Sequence, residues 1–353
     1  MRRIWTGVFA CAMAILLLAA TLFVGYMAWE KSVIQGISAV VGVLVSFFLA
    51  PILHELGHVV FARRNGMRPV LVKCACIRYI NEGKGKFTFA SPFAADQTQV
   101  VPMYGGDMQK RAKAYTLGGL LVQGVALTAL CVLAITLSCL HTTSYFVWGV
   151  VPYTAYLFLM NAVPLEYPGG KTDALIYGGL VKGYPAEKTM LSAMQIQGEL
   201  YQGKSYTEID EKWYFDVPQL AEDEPLFAIM LDLRYRYYIE KGDMERAADA
   251  INRLTQAQAY LSDQEVEKLA AELVYMHVIN GDFERASESA KLCEAYLHAD
   301  TLTAKRVLAT FTSAMDKKEE TRALLQQAQP LFEKCFIKGQ AKFEKVLMER
   351  IHI

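Results

Sequence analysis

His54-Glu55-Leu56-Gly57-His58 closes the apolar run Val33–Leu53, and the reading of that junction decides the fold. Residues four apart lie on one face of a helix, so His54 and His58 can bring two imidazoles to one metal ion while Glu55 reaches the water beside it. The pattern H-E-x-x-H suits Zn²⁺, which lowers the pKa of a bound water to about 7 and leaves a neighbouring carboxylate to carry its proton to a leaving amine. A histidine pair merely satisfied at a helix end is the bland alternative. Two histidines and a glutamate at membrane depth are costly without a task there, which favours a site. The chemistry expected is metal-assisted peptide hydrolysis with Glu55 as general base.

The 353 residues are 53% hydrophobic yet 20% charged, and the contradiction dissolves when the chain is taken in halves. Residues 1–180 hold 14 Lys+Arg against 7 Asp+Glu, whereas residues 181–353 hold 22 against 29. The formal net charge of zero is therefore +7 and −7 cancelling. Neither half has a basic block with interleaved aromatic residues, so nucleic acid is not an expected partner. Seven cysteines, with Cys11, Cys131 and Cys139 in apolar runs, give no disulfide framework. Cys74-Ala75-Cys76 is too tight for a metal knuckle and is expected in a strand with both thiols on one face.

Arg2-Arg3 precede an apolar stretch, about residues 4–28, that is too long for a signal-peptide core and carries Trp5 and Trp29 near its ends. It reads as a first membrane span. A second runs over about 33–62 and contains the motif, with Pro51 expected to bend the helix just before His54. Arg63, Arg64 and Arg68 make a basic exit. Val70–Ile80 and Lys86–Ala90 alternate in character around Asn81–Gly85, the pattern of one β-hairpin. The loop runs on to Lys113, rich in lysine and arginine, and the positive-inside rule puts it, with Arg2-Arg3, on the cytoplasmic side. A third span covers about 115–140, with Gly118, Gly119 and Gly124 allowing close helix approach. After the turn His141–Ser144 a fourth covers about 145–164. The expectation is a multi-pass cell-membrane protein whose N-terminus and C-terminal region are cytoplasmic.

From about Pro185 the periodicity is that of soluble amphipathic helices. Gly242-Asp243-Met244-Glu245-Arg246-Ala247 and Gly281-Asp282-Phe283-Glu284-Arg285-Ala286 are near copies 39 residues apart, with a fainter third near Asp316. Glycine ends one helix and aspartate caps the next, so each unit is a helical hairpin. Such stacked hairpins resemble tetratricopeptide repeats, which implies a cytosolic protein as partner. The fold class expected is mainly α: a four-helix membrane domain over 1–180 with a short cytoplasmic β-hairpin, then a helical-hairpin repeat domain over 185–353.

Zinc needs a third protein ligand and an open position. Glu166 and Asp173 lie on the correct side; His141 falls on the other, and His277, His298 and His352 sit in or beyond the helical hairpins. H-E-x-x-H inside a span, the hairpin-bearing loop, the glycine-rich next span and Asn161-Ala162-Val163-Pro164 leading to Asp173 together resemble the site-2 protease family of intramembrane zinc metalloproteases. The resemblance covers roughly residues 33–180. It implies one Zn²⁺ held by His54, His58 and Asp173, Glu55 as base, and Asn161 positioning the substrate. It also implies transmembrane or signal-peptide-like substrates that unwind locally and pair with the hairpin Leu71–Ala90. The sequence departs from the family pattern in Ala174 after Asp173, in the inserted Tyr167–Lys171, and in Gly118-Gly119 and Gln123 where the family tends to show Gly-Pro and Asn. Two rivals remain: a non-catalytic receptor whose inherited zinc site braces the spans while the hairpins recruit a cytosolic protein, and a CAAX-processing type of metalloprotease, which would use a downstream glutamate such as Glu166.

Overall fold

The computed structural model describes residues 2–81, 85–91, 96–140, 142–167, 170–222, 224–256 and 263–352, the side chains of residues 2–4 and 263–264 excepted. The turn residues Glu82, Gly83 and Lys84, His141, and Pro168-Gly169 of the inserted segment lie outside them. Among the described residues the protein is mainly helical, with 15 helices and a small antiparallel sheet. Two compact units divide it: residues 1–101 with 107–187, and residues 102–106 with 188–353.

In the first unit α1 (Arg2–Lys31), α2 (Val33–Arg64) and α3 (Met108–Cys139) are each long and apolar enough to cross a membrane. At 1.5 Å per residue the 32 residues of α2 extend about 48 Å, longer than a hydrocarbon core of about 30 Å. Ser32 caps α2 by accepting from the Gln35 amide, and Asp107 caps α3 by accepting from Lys110. That second cap explains why α3 starts upstream of the expected Tyr115. Lys110, Arg111 and Lys113 ride on its first turns instead of lying in a loop. α2 continues through Pro51 as one helix. α4 (Tyr145–Ala162) has 18 residues and follows.

Apolar side chains cover the outer faces: Leu22, Ile34 and Val125 are 64%, 77% and 71% exposed. In lipid such faces would cost nothing, and close packing would have to hold the helices together. α2 packs against both α3 and α4 at glycine crossings. A Cβ on Gly42 would stand 2.2 Å from the Phe146 carbonyl oxygen, and one on Gly149 2.4 Å from that of Ala39. Nearer the motif, a Cβ on Gly57 would stand 2.3 Å from the Gly118 carbonyl oxygen, and one on Gly118 2.6 Å from that of Gly57. The backbones touch there, leaving no room for any other residue.

The sheet corrects the single hairpin read from the sequence. The stretch Val70–Ile80 is not one strand: it divides into β1 (Met67–Cys74) and β2 (Ile77–Asn81), which pair antiparallel with Cys74 opposite Ile77. Ala75 takes φ 50° in the turn between them, and its amide donates to Asp96, which also receives the Lys73 ammonium. Cys74 thus ends β1 while Cys76 lies in the turn, so the two do not share a strand face. β3 (Gly85–Phe89) pairs antiparallel with β2, Asn81 opposite Gly85, as the hairpin pattern requires. A fourth strand, β4 (Gln97–Pro102), was not expected; it joins β1, giving the order β3-β2-β1-β4. After α4, the short strands β5 (Glu166–Tyr167) and β6 (Gly170–Lys171) pair and lead into α5 (Asp173–Lys182).

The helix α6 (Pro185–Tyr201) carries the chain onward. The second unit then holds α7 (Lys212–Phe215), α8 (Pro225–Lys241), α9 (Met244–Gln256), α10 (Asp263–Ile279), α11 (Phe283–Leu292), α12 (Glu294–Leu297), α13 (Leu302–Ala314), α14 (Lys318–Lys334) and α15 (Lys338–Met348). The pairs α8/α9, α10/α11 and α13/α14 are the three helical hairpins. Each turns on a left-handed residue: Gly242 at φ 85°, Gly281 at φ 75° and, in the faint third copy, Asp316 at φ 56°. Asp243 and Asp282 cap the helices that follow by accepting from Arg246 and Arg285. Through the core of these hairpins runs a buried ionic link. Arg306 on α13 is fully buried and bonds Glu272 of α10 and Glu344 of α15, each at 2.6 Å.

Candidate metal centre

Helices and strands of the first unit deliver the site. α2 supplies His54, Glu55 and His58 within little more than one turn, all three buried. The crossing of Gly57 on Gly118 then presses this turn of α2 against α3. Gly119 has to be side-chainless for the same reason, since a Cβ there would stand 2.5 Å from His58 Nε2 and 2.8 Å from His54 Cε1.

α3 also fixes the rings. His54 Nδ1 lies 2.9 Å from Gln123 Oε1, whose amide nitrogen donates to the Thr154 carbonyl, and His58 Nδ1 lies 2.9 Å from the Tyr115 carbonyl. Both partners are acceptors, so both Nδ1 atoms carry a proton, and in the neutral imidazole the Nε2 atom is then the one that presents a lone pair. The Nε2 atoms are 3.2 Å apart.

Asp173 completes the group. It opens α5, whose cap residue Thr172 is buried and bonds three ways: its hydroxyl donates to the Val163 carbonyl, receives the Leu165 amide at 3.0 Å and caps the Leu175 amide. This knot joins the end of α4 to the start of α5 and sets Asp173 Oδ2 at 3.1 Å from His54 Nε2 and 3.2 Å from His58 Nε2.

Two imidazole nitrogens and a carboxylate oxygen therefore converge, and Asp173 Oδ2 is buried without a hydrogen-bond partner. Such a triangle repels itself unless a cation sits within it. For ligand bonds of about 2.0–2.1 Å around a tetrahedral ion the edges are about 3.3 Å, close to the spacing found. Among the described residues His54, His58 and Asp173 form the group able to hold a metal ion. Glu166, the other carboxylate weighed for the third position, lies on β5 and is not part of it.

The group opens into a cavity of about 320 Å³ lined by Glu55, Thr98, Asn161 and Lys171 among others. Glu55 Oε2 accepts a hydrogen bond of 2.5 Å from the Thr98 hydroxyl. Asn161, at the end of α4, faces the same space while its Nδ2 donates to the Leu157 carbonyl. Sequence reasoning placed His54, Glu55, His58, Asp173 and Asn161 here and missed Gln123, Tyr115, Thr172 and Thr98. Gln123 had a signal, a polar residue deep in an apolar span, where such residues mark function.

Comparison with family models, with curated proteins and with solved structures returns no match for this chain.

Proposed function

We propose that the chain is an intramembrane zinc endopeptidase that hydrolyses peptide bonds in or near the transmembrane segments of membrane-bound substrates. The observation carrying this reading is the convergence of His54 Nε2, His58 Nε2 and Asp173 Oδ2 beside the buried Glu55 carboxylate. A structural brace needs the first three groups; only hydrolysis needs Glu55.

Zinc in this site would supply a Lewis acid for the scissile carbonyl and make water more acidic. The protein's own share is positional. Gln123 and the Tyr115 carbonyl hold the imidazoles in the ligating tautomer. Glu55 takes a proton from the attacking water and passes it to the departing amide nitrogen. Asn161 orients the substrate carbonyl, and the outer strand β4, whose Gln97 and Thr98 line the cavity, offers an edge to a locally unwound substrate.

In this reading α4 is a fourth crossing, the basic stretch around Arg63–Lys113 faces the cytoplasm, and both the N-terminus and the helical hairpins lie on that side. The hairpins would recruit a cytosolic protein.

Glu55→Gln tests the proposal. Membranes from cells making the variant should accumulate an uncut single-span protein, identified by mass spectrometry, while the purified variant keeps its zinc. Undiminished proteolysis in the variant refutes it.

A further inference from the structure

Thr98 sits on β4, nearly buried, at the wall of the cavity. Its hydroxyl has a single proton, and that proton goes to Glu55 Oε2 at 2.5 Å. The Thr98 backbone is held in turn, because its carbonyl accepts from the Tyr115 hydroxyl, and the Tyr115 carbonyl is the acceptor that faces His58 Nδ1. A closed circuit therefore runs from His58 on α2 through Tyr115 on α3 to Thr98 on β4 and back to Glu55 on α2.

We propose that Thr98 is a positioning residue for Glu55: its hydroxyl fixes the plane of the carboxylate relative to the metal ligands. This rests on the metallopeptidase reading above. A carboxylate offers about four acceptor positions, so one hydrogen bond orients it and still leaves room for the proton it must take. The threonine is suited to the task because its β-branch stiffens χ1 and the strand and Tyr115 fix its backbone. Without that donor Glu55 would have rotational freedom in a site where a misplacement of about 1 Å costs on the order of 100-fold in rate.

The closing experiment uses the full-length protein, purified in detergent, as wild type, Thr98→Val and Thr98→Ser. Valine keeps the shape and removes the donor; serine keeps the donor. Zinc content, affinity for acetohydroxamic acid and steady-state cleavage of fluorescent casein are measured on each. A hydroxamate hydrogen-bonds a carboxylate set beside the metal, so its affinity reports the placement of Glu55 without turnover.

Thr98→Val should keep wild-type zinc, bind the hydroxamate about tenfold more weakly, and lose about 10- to 100-fold in kcat with KM unchanged. Thr98→Ser should return all three to within a few fold of wild type. The inference is overturned if valine matches wild type, if serine fails as badly as valine, or if valine loses zinc in proportion to activity. Should wild type itself hold no zinc, the metallopeptidase reading falls and takes this inference with it; a loaded wild type with an indifferent valine variant sinks the inference alone.

Discussion

Gly119→Ala is the sharpest test of the site as built. The added Cβ would lie 2.5 Å from His58 Nε2, where ordinary contact begins at 3.4 Å, so the ring must retreat by about 0.9 Å. It has nowhere free to go, because Nδ1 of the same ring is set against the Tyr115 carbonyl and its neighbour against Gln123. A metal site tolerates about 0.2 Å in its ligand distances, and lesser disturbances of the partners behind the ligands already cost 10- to 100-fold in affinity. Zinc affinity of the purified protein, measured by competition with a chromophoric chelator, should fall at least tenfold, about 1.4 kcal/mol or more. Gly124→Ala is the control: its Cβ would meet only the Phe158 ring at 3.2 Å, and zinc affinity should stay within twofold. Unchanged affinity in Gly119→Ala would show that the imidazoles do not jointly hold a metal against α3.

Three further predictions concern the second unit. Arg306→Met takes the nearest cation from two buried carboxylates, Glu272 and Glu344, and should destabilise the hairpins by about 3–5 kcal/mol, read as a lower thermal midpoint or earlier proteolysis; an unshifted midpoint refutes it. In the wild type burial would raise Glu272, but Arg306 and Arg236 hold its carboxyl below the usual range. Its stabilisation is therefore full above about pH 4.3 and is lost as pH falls through the depressed value, a loss seen as a falling midpoint in acid. Burial, with Glu267 adding to it, pushes the Cys293 thiol up to about 11, so at pH 8 iodoacetamide should label Cys293 only after denaturation; rapid labelling of the native protein contradicts its placement.

What the sequence disclosed was whatever is local. His54, Glu55 and His58 announce themselves because four-residue spacing on a helix is enough to define their geometry. Asp173 needed a resemblance, since nothing within its own neighbourhood points across to α2. Gln123, Tyr115 and Thr98 reach the motif over sequence separations of 69, 57 and 43 residues, and only the approach of glycine to glycine at the α2–α3 crossing brings the first two within bonding distance. The sheet was misread for a related reason. A left-handed turn usually shows as glycine or asparagine, and here it falls on Ala75, secured by the distant Asp96. Asp316 made the third hairpin fainter for the same reason, by occupying a corner that glycine marks in the other two copies.

The three converging atoms come from positions 54, 58 and 173 of the chain, and the last is anchored by Thr172. During synthesis the histidine pair and its glutamate are therefore laid down well over a hundred residues before the carboxylate that joins them. A nascent chain that has inserted only its first helices carries a half-made centre. The group is complete only after β5, β6 and the start of α5 have been brought back to the end of α2, so no ion can be held by all three side chains until most of the first unit exists.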